Sequence, residues 1–491
     1  MKASKTISWV NPLVLAICVL VLYFSVKGNT LWMDEGQTFN VINTTFAKMM
    51  KSILSGYNAI SGIPLYYICE FCWCKIFGYS EFALRSMNFI FALAVLWGGL
   101  KIVNAMKLPV WMIMMFALNP VYLYYMNEAR PYAAVYACGL WCFYYLIRHF
   151  DGLRKNDILG FAICFWLGCA LHMMFIFIGL VYMCLAFVEF RQGKLNIKRH
   201  FSVWLLVLPF FLLLAIHYFH YVLNANEVNS SQSQPLAGIL QIGYYFAGLG
   251  GLGWSRNDLR CMNIALTLRI FVSLAIIIIS YLLLIFYVLR YKVYEEKRIC
   301  ILLVSIAVSI SCFLIANVVL KTRFWERHII YLLPGISLIL AIMFAELLCR
   351  ANTLTVKVVV GIILSMHVLS GLNLLIMDYY QKDNYCGAVE LARSFQSAHI
   401  FYQGDSPTFS YYGLRGKGVK EALEAEEDIG DNVDISNADK QMLDALINKS
   451  HGDIALILCE KYEFDTGNLF STFSKDGSRV NSFSVVFLPK K

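Results

Sequence analysis

Charge is scarce in this sequence. Only 15% of its 491 residues are charged, where a soluble domain carries about a quarter. A soluble protein of 56.0 kDa with that balance could not cover its own surface, and a disordered chain would be richer in charge. No internal repeat is visible, collagen-like or otherwise, and the cysteines do not form a secreted disulfide scaffold. A nucleotide motif is missing too. The Gly-rich run Tyr244–Trp254 does not follow a strand in an α/β pattern, so a dinucleotide reading fails. Cys69, Cys72 and Cys74 lie close together, but no second pair or nearby His completes a zinc set.

What the chain does have is apolar surface. Hydrophobic residues make up 59% of it and the mean hydropathy is +0.62, which leaves a polytopic membrane protein. Most of the fifteen cysteines sit inside apolar runs and act there as small hydrophobes. Only Cys386 and Cys459 fall in the polar tail, where a disulfide between them is an open question.

The net charge of +9 is uneven. Residues 1–378 carry 29 Lys and Arg against 15 Asp and Glu, while residues 379–491 carry 12 against 17. The basic excess sits in short loops between apolar runs, where it sets membrane orientation and is no nucleic-acid footprint. A span needs about 20 apolar residues. Spans are expected at 10–26, 82–104, 108–124, 131–148, 201–222, 264–289, 299–320, 328–348 and 355–377. The first has no small-residue cleavage site after it and so reads as a retained helix. The stretch 157–190 is too long for one span, and a break at Leu171-His172-Met173 gives a hairpin of two. Eleven crossings result. With the N terminus inside, every inside loop is basic, as the positive-inside rule asks.

The expected architecture is therefore a transmembrane domain over 1–378 and an extracytoplasmic soluble α/β domain over 379–491. In the tail, helix-like stretches (387–396, 439–448) alternate with strand-like ones (His399–Tyr402, Ile454–Cys459, Phe483–Leu488). Residues 27–81, 125–130 and 223–263 form the outer connections, the last with the Gly run dipping back toward the interface.

Unexplained charge gathers at the outer ends of spans. Asp34 and Glu35 follow the first span; they are either a solvated pair or a carboxylate held at the membrane face as a general base or cation ligand. Glu128 and Arg130 lie in a connection so short that both sit near bilayer depth. A charge there costs about 2.5–3.5 kcal/mol, so it is paired, functional or both. Lys321, Arg323, Glu326, Arg327 and His328 form a cluster on the side that should be charge-poor. A local anion such as a phosphate explains it; interfacial snorkelling is the bland account. His172 interrupts an apolar stretch at its outer turn, and His217 and His220 stand near the outer end of the span at 201–222.

The order of these residues carries a resemblance. An acidic pair after the first span is followed by Pro64-Leu65-Tyr66-Tyr67, by Phe77-Gly78-Tyr79-Ser80-Glu81-Phe82-Ala83-Leu84-Arg85, by Asn119-Pro120, and by Glu128-Ala129-Arg130-Pro131-Tyr132. An Arg327-His328 to Pro334 stretch closes the series. This resembles the GT-C membrane glycosyltransferases, in the branch of the protein O-mannosyltransferases and the aminoarabinose transferases of lipid A, over about the first 350 residues. One departure is Gly62-Ile63-Pro64 where the family often has His-Pro-Pro.

The resemblance implies an all-α polytopic GT-C-like membrane protein of about 11 helices with a small C-terminal soluble α/β domain. It implies an inverting transferase in the bacterial cytoplasmic membrane. The donor is a polyprenyl-phosphate sugar, used on the outer face, and the acceptor a lipid, glycan or protein. Such a donor leaves readily without a general acid. The site needs one carboxylate to take the acceptor proton and cations for the departing phosphate. Asp34 is the expected base, Glu35 stands with it as a second catalytic carboxylate, and Glu128 orients Arg130 or touches the acceptor. Arg130, Arg323 and Arg327 are the expected phosphate clamp, and Tyr66, Tyr67, Tyr132 and His172 line the substrate. No cofactor is certain, and a divalent cation stays open. Two other readings remain: a polysaccharide polymerase or ligase using polyprenyl-linked glycans, and a transporter, which would place its ionisable groups nearer mid-bilayer.

Overall fold

Inside a bilayer a backbone must satisfy its own hydrogen bonds, and the apolar stretches of this chain do so as helices. The computed structural model describes residues 10–26, 30–55, 59–151, 154–224, 235–255, 258–259, 265–320, 326–377, 380, 383–425, 430–459, 477–480 and 483–489. In chain order the helices are α1 (Val10–Val26), α2 (Met33–Ile42), α3 (Phe46–Leu54), α4 (Pro64–Phe77), α5 (Glu81–Ser86), α6 (Asn88–Ala105), α7 (Met114–Ala117), α8 (Pro120–Met126), α9 (Tyr132–Ile147), α10 (Lys155–Leu171) and α11 (Ile178–Arg191). They continue as α12 (Ile197–Asn224), α13 (Pro235–Phe246), α14 (Leu268–Arg290), α15 (Lys297–Leu320), α16 (Leu333–Arg350) and α17 (Leu354–Ile376). The remainder mixes α18 (Tyr385–Ser394), α19 (Ser406–Tyr411), α20 (Val419–Glu424) and α21 (Lys440–Lys449) with six strands. These are β1 (His399–Tyr402), β2 (Lys417–Gly418), β3 (Asn432–Asp434), β4 (Ile454–Cys459), β5 (Ser478–Val480) and β6 (Phe483–Leu488).

Two compact units result. One comprises residues 1–28, 45–78 and 82–380; the other comprises 29–44, 79–81 and 381–491.

In the first unit, seven helices among the described residues are long and apolar enough to cross a membrane: those over 81–105, 173–191, 197–223, 268–290, 297–319, 327–350 and 354–376. Helices α12 and α14 expose row upon row of large side chains, among them Leu213, Phe219, Leu268 and Leu282. Water would not tolerate such faces, and lipid requires them. The expected hairpin over 157–190 is present. Helix α10 ends at His172, whose backbone turns extended, and a 3-10 turn over Met173–Phe177 leads into α11.

The segment 108–124, expected as one span, is broken. A 3-10 turn (Val110–Ile113) and the single turn of α7 precede α8. The break has a local cause. The side chain of Asn119 takes the N–H groups of Val121 and Tyr122 at 3.0 and 3.2 Å, and Pro120 occupies the first helical position, so a new helix starts there. Small residues let elements close up around this core. A Cβ on Gly139 of α9 would lie 2.4 Å from the carbonyl oxygen of Tyr331, an approach that only glycine allows. The Gly run after α13 is tied to α17: Ser370 Oγ accepts from Gly251 N–H at 3.0 Å, and Asn373 Nδ2 donates to the Gly251 carbonyl at 2.9 Å.

The second unit is built on a sheet of order β2-β3-β1-β4-β6-β5. The first four strands run parallel, and β6 pairs antiparallel with both β4 and β5. Every residue of β4 is buried, as expected for a strand covered on both faces. Leu456 and Leu458 point to the side packed by α20 and α21. Ala455 and Ile457 point to the side packed by α18 and Phe409 of α19. Cys386 and Cys459 are separate free thiols.

Candidate functional site

In the first unit the predicted residues converge on the short connection between α8 and α9. The connection is held from below by Asn88, at the start of α6, whose Nδ2 donates to the carbonyls of Met126 (3.1 Å) and Glu128. Glu128 is fully buried. Its carbonyl also takes the N–H of Arg130 at 2.8 Å, closing a tight turn at the Arg130 position. Arg130 Nη1 donates to the hydroxyl of Tyr67 at 3.0 Å. Tyr67 follows Tyr66 on the first turn of α4, the two rings meeting edge to face at 6.0 Å. Pro64 at the start of that helix needs no hydrogen-bond acceptor and fixes where it begins.

The other wall comes from three elements. Tyr132 opens α9 and packs on Tyr125 of α8, ring centroids 4.9 Å apart. The guanidinium carbon of Arg327 lies 5.6 Å from the Tyr132 ring centroid, a cation–π distance. His172 lies 6.2 Å from Tyr132 and 5.6 Å from His328, between ring centroids. Its Nδ1 accepts the N–H of Met174 at 3.2 Å, which leaves the ring proton on Nε2. Both Arg130 and Arg327 act electrostatically on this ring. A neutral imidazole with an N–H to offer therefore sits in the field of two guanidiniums, a set of donors suited to a doubly charged oxyanion.

In the second unit, Asp34 and Glu35 lie in the first turn of α2, where acidic groups suit the helix dipole. They are not equivalent. Glu35 is fully buried, and its Oε2 accepts the N–H of Trp32 at 3.2 Å, so it caps its own helix. Asp34 is 8% exposed. The helix is gripped by α19. Gln37 Nε2 donates to Asp405 Oδ1 at 2.7 Å, and the hydroxyl of Tyr412, just past α19, accepts the N–H of Leu31 at 2.6 Å while donating to Glu81. Burial first, then the hydrogen bond to Glu81 and the negative charge of that carboxylate, push the Tyr412 hydroxyl far above the ordinary tyrosine range.

Of the expected site residues, the first unit brings together Tyr66, Tyr67, Glu128, Arg130, Tyr132, His172 and Arg327. Arg323 lies outside the described residues. His217 bonds the carbonyl of Ser61 at 2.8 Å. Among the described residues, no group of three or more His, Cys, Asp or Glu side chains is placed to hold a metal ion. Asn88 and Tyr125 complete the site without having been singled out, and His328 joins it from the cluster around Arg327. Asn88 was readable as a lone amide at the head of an apolar run. Glu70 of α4 and Arg85 of α5 are both buried; the sequence signal was a charge within an apolar helix in each case.

Apolar helices long enough to span a membrane, an Arg-bearing connection between two short helices and a small α/β unit define a polytopic membrane protein. The fold is similar to that of ArnT. ArnT from Cupriavidus metallidurans in the apo state matches with a TM-score of 0.54 at 11% identity, over 99% of this chain and 98% of that one. ArnT from the same organism bound to undecaprenyl phosphate matches with a TM-score of 0.48 at the same identity and coverage. No family model matches the chain, and no curated protein sequence does.

Proposed function

We propose that the chain is an inverting membrane glycosyltransferase that moves a sugar from a polyprenyl-phosphate donor to a lipid, glycan or protein acceptor on the outer face of the cytoplasmic membrane. The observation that carries this reading is the convergence of Arg130, Arg327, Tyr67 and His172 on one point of an ArnT-like fold.

Asp34 takes the proton of the acceptor hydroxyl as its oxygen bonds to the anomeric carbon. The bond from that carbon to the phosphate oxygen breaks on the opposite side, which inverts the centre. The electron pair leaves with the polyprenyl phosphate, and its growing charge is met by Arg130 and Arg327, with Arg323 as a third cation. Glu128, buried under the Arg130 turn, opposes the positive charge of the clamp and orients it. Tyr67 fixes the direction of the Arg130 fork, and Tyr66, Tyr132 and His172 shape the wall.

Mass analysis of envelope lipid, glycan and protein from a deletion strain tests the reading. One species should lose the mass of a single sugar while the polyprenyl-phosphate sugar accumulates. Unchanged species together with an unchanged donor pool would overturn it. The orientation predicts that a reporter active only outside the cytoplasm works when fused after Lys491. An inactive fusion there, with an active cytoplasmic reporter at the same position, would reverse the topology.

A further inference from the structure

We infer that Gln37 and Asp405 are positioning residues for Asp34, and that the C-terminal sheet domain serves as the mount that sets the attitude of the base-bearing helix. The inference rests on the reading of Asp34 as the base.

Three features of the second unit support it. Asp405 is fixed independently of α2, because its Oδ2 accepts the N–H of Thr408 at 3.0 Å and the Thr408 hydroxyl at 2.6 Å as the cap of α19. Its other oxygen is the one that holds Gln37. Gly36 is pressed against the same helix. A Cβ there would lie 1.9 Å from Thr408 Oγ1 and 2.7 Å from its Cα, so no side chain fits without moving α2. The Tyr412 hydroxyl holds the other end of the segment through Leu31. Asp34 lies between these two grips, three residues from Gln37 and so near it on the helix face.

The mount is also electrostatic. Asp405 lies above the ordinary carboxylate range, through burial first; the negative charge of Asp34 raises it further, while the Thr408 and Gln37 hydrogen bonds oppose the rise. The titratable groups around the pair are Glu35 on α2, Tyr385 on α18, whose hydroxyl accepts the N–H of Asp405, and Tyr412 just past α19, bonded to Glu81 at the start of α5. Like charges hinder each other's ionisation, and the effect is mutual. Removing the charge of Asp405 therefore lets Asp34 ionise at lower pH.

Asp405→Asn separates this role from a structural one, since Asn is as good a helix cap and its amide can still meet Gln37. Turnover is followed in membrane vesicles supplied with native polyprenyl lipid extract, as formation of the product that deletion removes. The acid limb of the rate–pH profile should move to lower pH. Gln37→Leu should lower the rate at saturating lipid about tenfold, with the half-saturating amount changed less than about twofold. Gly36→Ala should lose more. Circular dichroism and thermal melts confirm that each variant is folded. If Asp34→Asn is inactive while folded Asp405→Asn and Gln37→Leu both match the parent in rate and profile, the positioning role is overturned and the base stands. If Asp34→Asn is active, the base itself is wrong.

Discussion

Asp34→Asn is expected to lower turnover about a hundredfold or more, the usual loss when a general base is removed. Donor binding should stay nearly unchanged, because the amide keeps the size of the carboxylate and the proposed phosphate contacts are made by other residues. Glu35→Gln is the matched control. Glu35 spends one oxygen on the Trp32 N–H, and a glutamine carbonyl can accept that bond equally well, so turnover should fall only a few-fold. The comparison is made with membrane vesicles at saturating donor. Near-normal turnover in Asp34→Asn together with its loss in Glu35→Gln would exchange the two roles. Normal turnover in both would leave the pair with a structural role alone. The environment already bears on the choice: both are shielded from water, and Glu35 is tied to the Trp32 N–H at the start of its own helix, where a carboxylate is a poor proton acceptor.

Much of this was legible because the physics is local. The strands His399–Tyr402, Ile454–Cys459 and Phe483–Leu488 are runs of β-branched, aromatic and aliphatic residues bounded by breakers, and they form as read. The short strands Lys417–Gly418, Asn432–Asp434 and Ser478–Val480 were not legible, since two or three residues show no period and are ordered by the strand beside them. The break at His172 was visible as a polar residue in an apolar run too long for one span. The break before α8 was not read, although Asn119-Pro120 is a good start signal, because hydropathy averages over it. The arginines of the site were legible from their place in a charge-poor region. What held them was not: Tyr67 lies 63 residues from Arg130, and Asn88 lies 40 from Glu128. The grip of α19 on α2 joins residues 368 apart. No local pattern announces such a contact, and the composition of residues 27–81 says only that they are too long and mixed to be a simple turn.

Arg130→Lys is expected to weaken binding of a polyprenyl-phosphate sugar about tenfold, although the net charge is unchanged. Arginine offers paired N–H donors in a rigid fork, and lysine offers a point charge on a flexible stem. Arg130 uses one arm on the Tyr67 hydroxyl, so the rest of the fork is aimed rather than free to turn. A lysine could reach the same hydroxyl or the phosphate, but not both in a fixed geometry. Tyr67→Phe should give a smaller loss of the same kind, because the fork stays but its aim is lost, and the double variant should be little worse than Arg130→Lys alone. Arg327→Lys should also weaken binding, since the planar guanidinium stacks on Tyr132 better than an ammonium does. Arg323→Lys completes the set. The measurement is donor affinity of purified protein at constant salt. If the basic cluster only snorkels at the membrane surface, lysine serves as well as arginine, because either stem reaches water. Unchanged affinity in all three Arg→Lys variants would then remove the clamp from the mechanism. A loss confined to Arg130 would place the phosphate on the α8–α9 connection alone, where a buried Glu128 and the Asn88 amide hold the turn that presents it.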